Sequence, residues 1–287
     1  MSELAARAST WWAIFKINFH EKLVYRGDFM LGTLMRFLPI VTQVFLWYAV
    51  FGSIQAHMSD DGDGGQAKIA GYTYDNIVAY YLLSTVSRAF SSMPGLASGI
   101  ALQIREGEIK KYLIQPLDLI SFMFLNRLAH KLTYYIVAAA PFALVFWLCR
   151  DFFSGWPPPH ILAAFFASLI MSFALGFFLE ATIGMIGFWF LEVSSLLFVY
   201  MLFNFFLSGH MFPLDMLDNV SGPWGLIVRG LPLMYLAYFP AAVFLGKIQG
   251  TELVIGLIVQ LAWVIFFFFT CRLAMHYGVK RYSGYGG

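Results

Sequence analysis

Charge is what this sequence has least of. Its 287 residues include only 18 Lys and Arg and 16 Asp and Glu, or 12% charged residues, about half the usual share of roughly 25%. A soluble globule of this size needs far more polar surface. The scarcity excludes a soluble enzyme, a nucleic-acid-binding domain and a disordered chain. Two cysteines, Cys149 and Cys271, are too few for a disulfide scaffold. The first 30 residues have no apolar core of the length a cleavable signal needs, so none is expected. The catalytic and nucleotide motifs are missing too. No G-x-x-x-x-G-K-[ST] occurs, and Gly246-Lys247-Ile248 is its nearest fragment, so no P-loop ATPase is expected within the chain. H-E-x-x-H, G-x-S-x-G and paired-cysteine metal motifs are absent, and the six histidines are scattered.

What fills the chain instead is apolar. Aliphatic, aromatic and sulfur residues make up 60%, with 31 Phe, which points to an integral membrane protein. A charge at mid-bilayer is costly, so charge-free runs mark candidate helices. Such runs lie at 37–59, 132–149, 152–179, 193–214 and 253–271. With interfacial ends included, six spans are expected near 31–54, 74–98, 125–148, 161–181, 190–208 and 251–272. The second carries Arg88 near its middle. The stretch 230–246 holds Pro232 and Pro240, which suits a re-entrant or interfacial pair of short helices better than a seventh span. The expected fold is therefore all-α and polytopic.

Basic residues favour the cytoplasmic side. With six spans and the N-terminus inside, Arg7, Lys16, Lys22, Arg26, Arg36, Arg105, Lys110, Lys111, Arg127, Lys131, Arg272, Lys280 and Arg281 fall on or near that side. Only Lys68, Arg150, Arg229 and Lys247 fall outside. Ahead of the first span, Leu4, Ala8, Trp11, Trp12, Phe15 and Phe19 recur at helical spacing. Residues 1–30 thus read as an amphipathic interfacial helix, or else as the start of a long first span. The acidic, glycine-rich stretch 55–73 reads as a flexible outer loop, with weak divalent-cation binding as the alternative.

Between spans two and three, the cytoplasmic link 101–121 places charges of both signs around a glycine: Arg105, Glu106, Gly107, Glu108, Lys110 and Lys111. A short helix is expected to run to about Ile114, because Pro116 disfavours helix at the residue before it. Such a helix offers a ridge to a partner; an ordinary solvated loop is the alternative.

The chain resembles the ABC type-2 exporter permeases, in the branch that includes the viologen exporters. The likeness is carried by Tyr25-Arg26-Gly27-Asp28-Phe29, by the link from Arg105 through Pro116-Leu117, and by the proline-broken stretch 209–245 from Gly209 through Met211-Phe212-Pro213 to Pro232 and Pro240. The resemblance implies a domain spanning 31–287, with the link as a coupling helix on a separate ATPase and the broken stretch as outward re-entrant helices. It implies two ATPase subunits, a second permease, identical or homologous, and a bacterial inner membrane with both termini cytoplasmic. ATP and Mg would bind the partner ATPase, and this chain would hold no cofactor and no metal. No nucleic-acid partner is expected. The implied activity is passage of an amphiphilic substrate through the bilayer. An ion-coupled secondary transporter and a membrane enzyme acting on lipids are the alternatives.

Within the spans, Arg88 is a substrate-path candidate or a structural ion-pair partner. Glu180 and Glu192, which flank a short link, are also substrate-path candidates, as a proton relay, or else cytoplasmic interfacial groups. Asn204 and Gln260 suit interhelical hydrogen bonding, although Asn204 is also a path candidate. Gly95 and Gly99 have the small-residue spacing of closely packed helices.

The topology is directly testable. In a background lacking Cys149, a single cysteine at Ser59 should react with an impermeant thiol reagent in intact cells, and one at Ser283 should not. The reverse pattern would overturn the assignment.

Overall fold

The computed structural model describes residues 2–24, 26–60, 67–153, 155–190, 192–219 and 224–282. Tyr25, the middle of the acidic loop at 61–66, residues 220–223 of the proline-broken stretch and Ser283 lie outside them. The chain is 82% helical, in keeping with an all-α architecture, and no strand forms among the described residues. The helices are α1 (Ser2–Val24), α2 (Arg26–Asp60), α3 (Tyr74–Ser91), α4 (Leu96–Arg105), α5 (Lys110–Leu113), α6 (Leu119–Leu148), α7 (Pro159–Met185), α8 (Ser194–Leu207), α9 (Trp224–Gly230), α10 (Tyr238–Phe244) and α11 (Gly250–Arg281).

Their starts follow local chemistry. The Thr73 hydroxyl accepts from Asn76 N–H at 3.4 Å and caps α3. The Asp118 carboxylate accepts from Ser121 N–H at 2.8 Å and caps α6. Each satisfies a donor that the first helical turn leaves open. Pro159 starts α7, where its missing N–H costs nothing. α2 runs on to Asp60, so the loop expected from residue 55 begins later.

Among the described residues, four helical stretches are long and apolar enough to cross a bilayer: Phe37–Met58, Leu119–Leu148, Pro159–Phe188 and Gly250–Arg281. They match the first, third, fourth and sixth expected spans. The fifth corresponds to α8, only 14 residues long. The second, expected as one helix over 74–98, is interrupted. α3 stops at Ser91 and α4 starts at Leu96. Pro94 cannot donate to an i−4 carbonyl and its ring crowds that position, and Gly95 turns the chain with φ of 72°. The link differs from expectation for a similar reason. Gly107 takes φ of 76°, ending α4 and leaving α5 as a single turn. That turn is anchored by Ile104 and Ile109, 4% and 1% exposed.

α7 is the axis of the fold. Half of its most apolar stretch is buried, against 22% or less in the other three crossing helices. α3, α4, α10 and α11 all pack on it. Glycines set the approach. A Cβ on Gly176 would overlap the Ser91 carbonyl, and one on Gly184 would lie 2.7 Å from the Ala97 carbonyl oxygen. The glycine pair read from the sequence does something else. Gly95 and Gly99 have nothing within 4 Å of a Cβ and line a void of about 280 Å³ between α4 and α6.

Gln260 does join helices. Its side-chain amide donates to the Ser168 carbonyl at 3.0 Å and to the Tyr235 carbonyl at 3.3 Å, tying α11 to α7 and to the 3₁₀ turn Pro232–Leu236. The stretch after α8 breaks into short turns and helices, as its prolines require. From Leu233 to Val243 it is buried throughout, against α3 and α7.

Gly176→Val should therefore overpack the α3–α7 contact and destabilise by about 1–3 kcal/mol. Gly99→Ala, with open space and better helix propensity, should be neutral or gain up to ~1 kcal/mol. Thermal unfolding in detergent, followed by size-exclusion chromatography, measures both. Equal melting of the two variants would contradict the assigned packing.

Candidate functional site

The interruption at residues 92–95 frees backbone groups inside the helical assembly, and three charged side chains take them up. Lys131 of α6, only 6% exposed, donates to the carbonyls of Ala89 and, at 2.6 Å, of Ser92. Arg127, one turn earlier on α6, donates to the Pro94 carbonyl at 3.0 Å. Glu180 of α7 accepts from the Met93 N–H. Cations thus meet the carbonyl end of α3, where the helix dipole is negative, and the carboxylate meets a backbone donor of the break.

Above this break lies a cavity of about 460 Å³. α2 contributes Pro39, Ile40 and Gln43 to its lining, and α3 contributes Tyr81, Thr85, Arg88 and Ala89. Ser92 and Pro94 come from the break, and Phe205, His210 and Met211 from α8 and the chain after it. Arg88 is the one charged side chain among these lining residues. Tyrosines hold the far wall. The Tyr80 and Tyr81 hydroxyls donate to the carbonyls of Gly209 and Met211, and Trp47 Nε1 donates to Tyr81 at 3.0 Å. Beyond them the Asp215 carboxylate accepts from Tyr72 at 2.5 Å and from Tyr238. Burial, then the Asp215 charge, pushes the Tyr72 phenol far above its usual range, so it serves as a fixed donor.

The structure sorts the sequence candidates into two places. Arg88 and Glu180 lie within electrostatic reach of each other at the break, together with Arg127 and Lys131. Glu180 is therefore an internal, half-buried group and not the interfacial one its closeness to Glu192 suggested, because α7 continues past it to Met185. Glu192 is exposed and pairs with Arg105 at 3.3 Å. Hydrogen bonds from Ser194 hold its carboxyl below the usual range. Asn204 is half-buried on α8 and is not among the cavity-lining residues.

In the link, Lys111 pairs with Glu108 at 2.8 Å, and that hydrogen bond raises the lysine above its ordinary value. Glu106, Lys110 and Ile114 are exposed, Ile114 to 84%. Gly107 makes the turn between them. This surface is charged with an apolar knob, and it lies at the far end of α4 from the cavity.

Sequence reading missed the roles of Arg127 and Lys131, which it assigned to a span end. Their i, i+4 spacing puts them on one helix face. Opposite them, Pro94-Gly95 inside an apolar run was the available signal for a break needing donors.

Asp118 joins the link-side ends of two helices. It caps α6 and also pairs with Arg272 of α11, whose Nη2 reaches Ser121 Oγ at 3.4 Å. Burial alone would raise the Asp118 carboxyl, but the hydrogen bonds from Arg272 and Ser121 outweigh it and hold it below the usual range.

A family model described as ABC-2 family transporter protein matches residues 37–286, most of the chain. Comparison with curated proteins gives no match.

Because the folded Asp118 pKa is depressed, its contribution is present above the unfolded carboxylate value and is lost as pH falls through the folded one. Asp118→Asn keeps a capping side chain but removes the ion pair. Both partners are about two-fifths exposed, so the loss should be below about 1 kcal/mol. Melting temperature against pH should show the wild-type advantage over Asp118→Asn at neutral pH and its disappearance below pH ~4. A gap that persists in acid would contradict this.

Proposed function

Because the chain belongs to the ABC-2 family of transporter proteins, we propose that it is the permease subunit of an ATP-driven exporter, forming the path for an amphiphilic substrate. A partner ATPase, binding ATP and Mg, supplies the energy. One structural observation carries the coupling argument. α4 starts at the break beside the Arg88 cavity and ends at Arg105 in the charged link. Ten residues of helix span about 15 Å. A displacement at the link therefore reaches the cavity through one rigid element.

On this reading the link 101–121 seats on the ATPase. Arg105, Glu106, Gly107, Glu108, Lys110 and Lys111 form the contact, and their mixed charges fix its register. α3 with α4 forms the second span and α8 the fifth, completing six. α1 lies in the cytoplasmic interface, and 209–245 dips in from the outside. Non-helical backbone at membrane depth is tolerated only where protein surrounds it, which suits the burial of 233–243. Two permeases and two ATPases assemble in a bacterial inner membrane with both termini inside. The likeness to the viologen-exporter branch is one of arrangement and does not set the cargo. A second reading, an ion-coupled transporter, draws on Glu180 lying half-buried beside Arg88. Transport without any ATPase would favour it.

Reversing both Glu106 and Glu108 to Lys should weaken ATPase capture by about fivefold or more, or uncouple hydrolysis from transport in vesicles. Membrane insertion should survive, since neither group is buried. Unchanged capture together with unchanged transport would place coupling elsewhere in the chain.

A further inference from the structure

We propose that the cavity between α2, α3 and α8 binds the acidic head group of an amphiphile, a carboxylate, sulfonate or phosphate carried on an apolar tail. The proposal deepens the permease reading by naming the chemical class of its ligand, and it rests on that reading for its role in transport.

The charge inventory carries the argument. Among the described residues, Arg88, Arg127 and Lys131 stand around the break with one acid, Glu180. Arg127 and Lys131 direct hydrogen bonds at backbone carbonyls, and Arg88 is the one of the four that lines the cavity. The surplus of positive charge sits in a low-dielectric interior, where Coulomb forces are strong. An anion entering the cavity is attracted; a cation, above all a dication, is repelled. The guanidinium fork matches two acidic oxygens at once. Gln43 of α2 and Thr85 and Tyr81 of α3 add polar atoms to the lining. His210 also lines the cavity, and its Nδ1 is buried without a hydrogen-bond partner, so a ligand oxygen or an accompanying water would satisfy it.

The rest of the lining is apolar. Pro39, Ile40, Phe205 and Met211 face the same space, and about 460 Å³ falls in the usual range of roughly 300–1,000 Å³ for small-molecule sites.

The test uses the full chain in phosphatidylcholine nanodiscs, with empty nanodiscs as the blank for partitioning. Dansyl-undecanoic acid is compared with a dansyl-alkyl trimethylammonium of the same chain length. The acid should bind at least about tenfold more tightly. Arg88→Gln should lose about tenfold of that affinity, and Arg88→Lys, which keeps the charge but not the fork, should fall between the two. The wild-type preference for acid over ammonium tests the proposal even if Arg88→Gln fails to fold. Phosphatidylglycerol in the nanodisc distinguishes the sources. If it displaces the probe, the head group is a bilayer lipid's; if it does not, the site takes a free amphiphilic acid. Equal or tighter binding of the ammonium probe, or full affinity in a folded Arg88→Gln, overturns the proposal. No ATPase is needed here. Failed binding with successful ATPase capture sinks the site alone, while failed capture with successful binding sinks the permease reading alone.

Discussion

A helix interrupted away from water must find new partners for the backbone groups it releases, and much of this structure depends on how that is done at residues 92–95. Each unsatisfied group at membrane depth costs several kcal/mol. The solution uses three of the chain's few charges. Lys131 and Arg127 take carbonyls, Glu180 takes an amide, and Gly176 lets α7 approach close enough for the contact. The break in turn separates α3, which lines the cavity, from α4, which leads to the link. Interruption, cavity and link thus share one set of constraints.

The half around Asp215 is organised on a different principle. Phenol groups, not charges, hold the proline-broken stretch against α3. Tyr80 and Tyr81 donate to carbonyls of residues that follow α8, while Tyr72 and Tyr238 converge on Asp215. A tyrosine buries a large apolar ring and still supplies a directed donor, which suits a wall that must be both greasy and fixed. Lys247 adds a cation over the Tyr72 ring at 4.2 Å from its centre. The wall of the cavity nearest Met211 is therefore defined by long-range contacts, whereas its floor is defined by the break.

The all-helical architecture and the four crossing helices were legible in the sequence, because charge-free runs report desolvation directly. Gln260 was legible for the same reason: a lone amide in an apolar run needs a partner on another helix. What stayed hidden depended on pairs distant in the chain. Arg127 and Lys131 looked like end charges when judged by distance from a loop, yet their partners are carbonyls 33 to 42 residues away. Glu180 and Glu192 looked alike because only 12 positions separate them, but a helix end between them sends one inward and the other to Arg105. Gly95 and Gly99 had the right spacing for close packing and no neighbour to pack on. Spacing alone specifies a face, and the facing element decides its use.

The shortness of α8 has a consequence for the surrounding lipid. Fourteen residues give about 21 Å of helix, against a hydrocarbon core of ~30 Å. A fifth span built on α8 leaves about a third of the apolar depth to be met by something else. Either the bilayer thins beside it, at a fraction of a kcal/mol per Å of mismatch, or neighbouring protein fills the gap. Because α8 supplies Phe205 to the cavity wall, a span built on it would make the thickness of the membrane a mechanical load on that wall, and acyl-chain length a variable to which its shape responds.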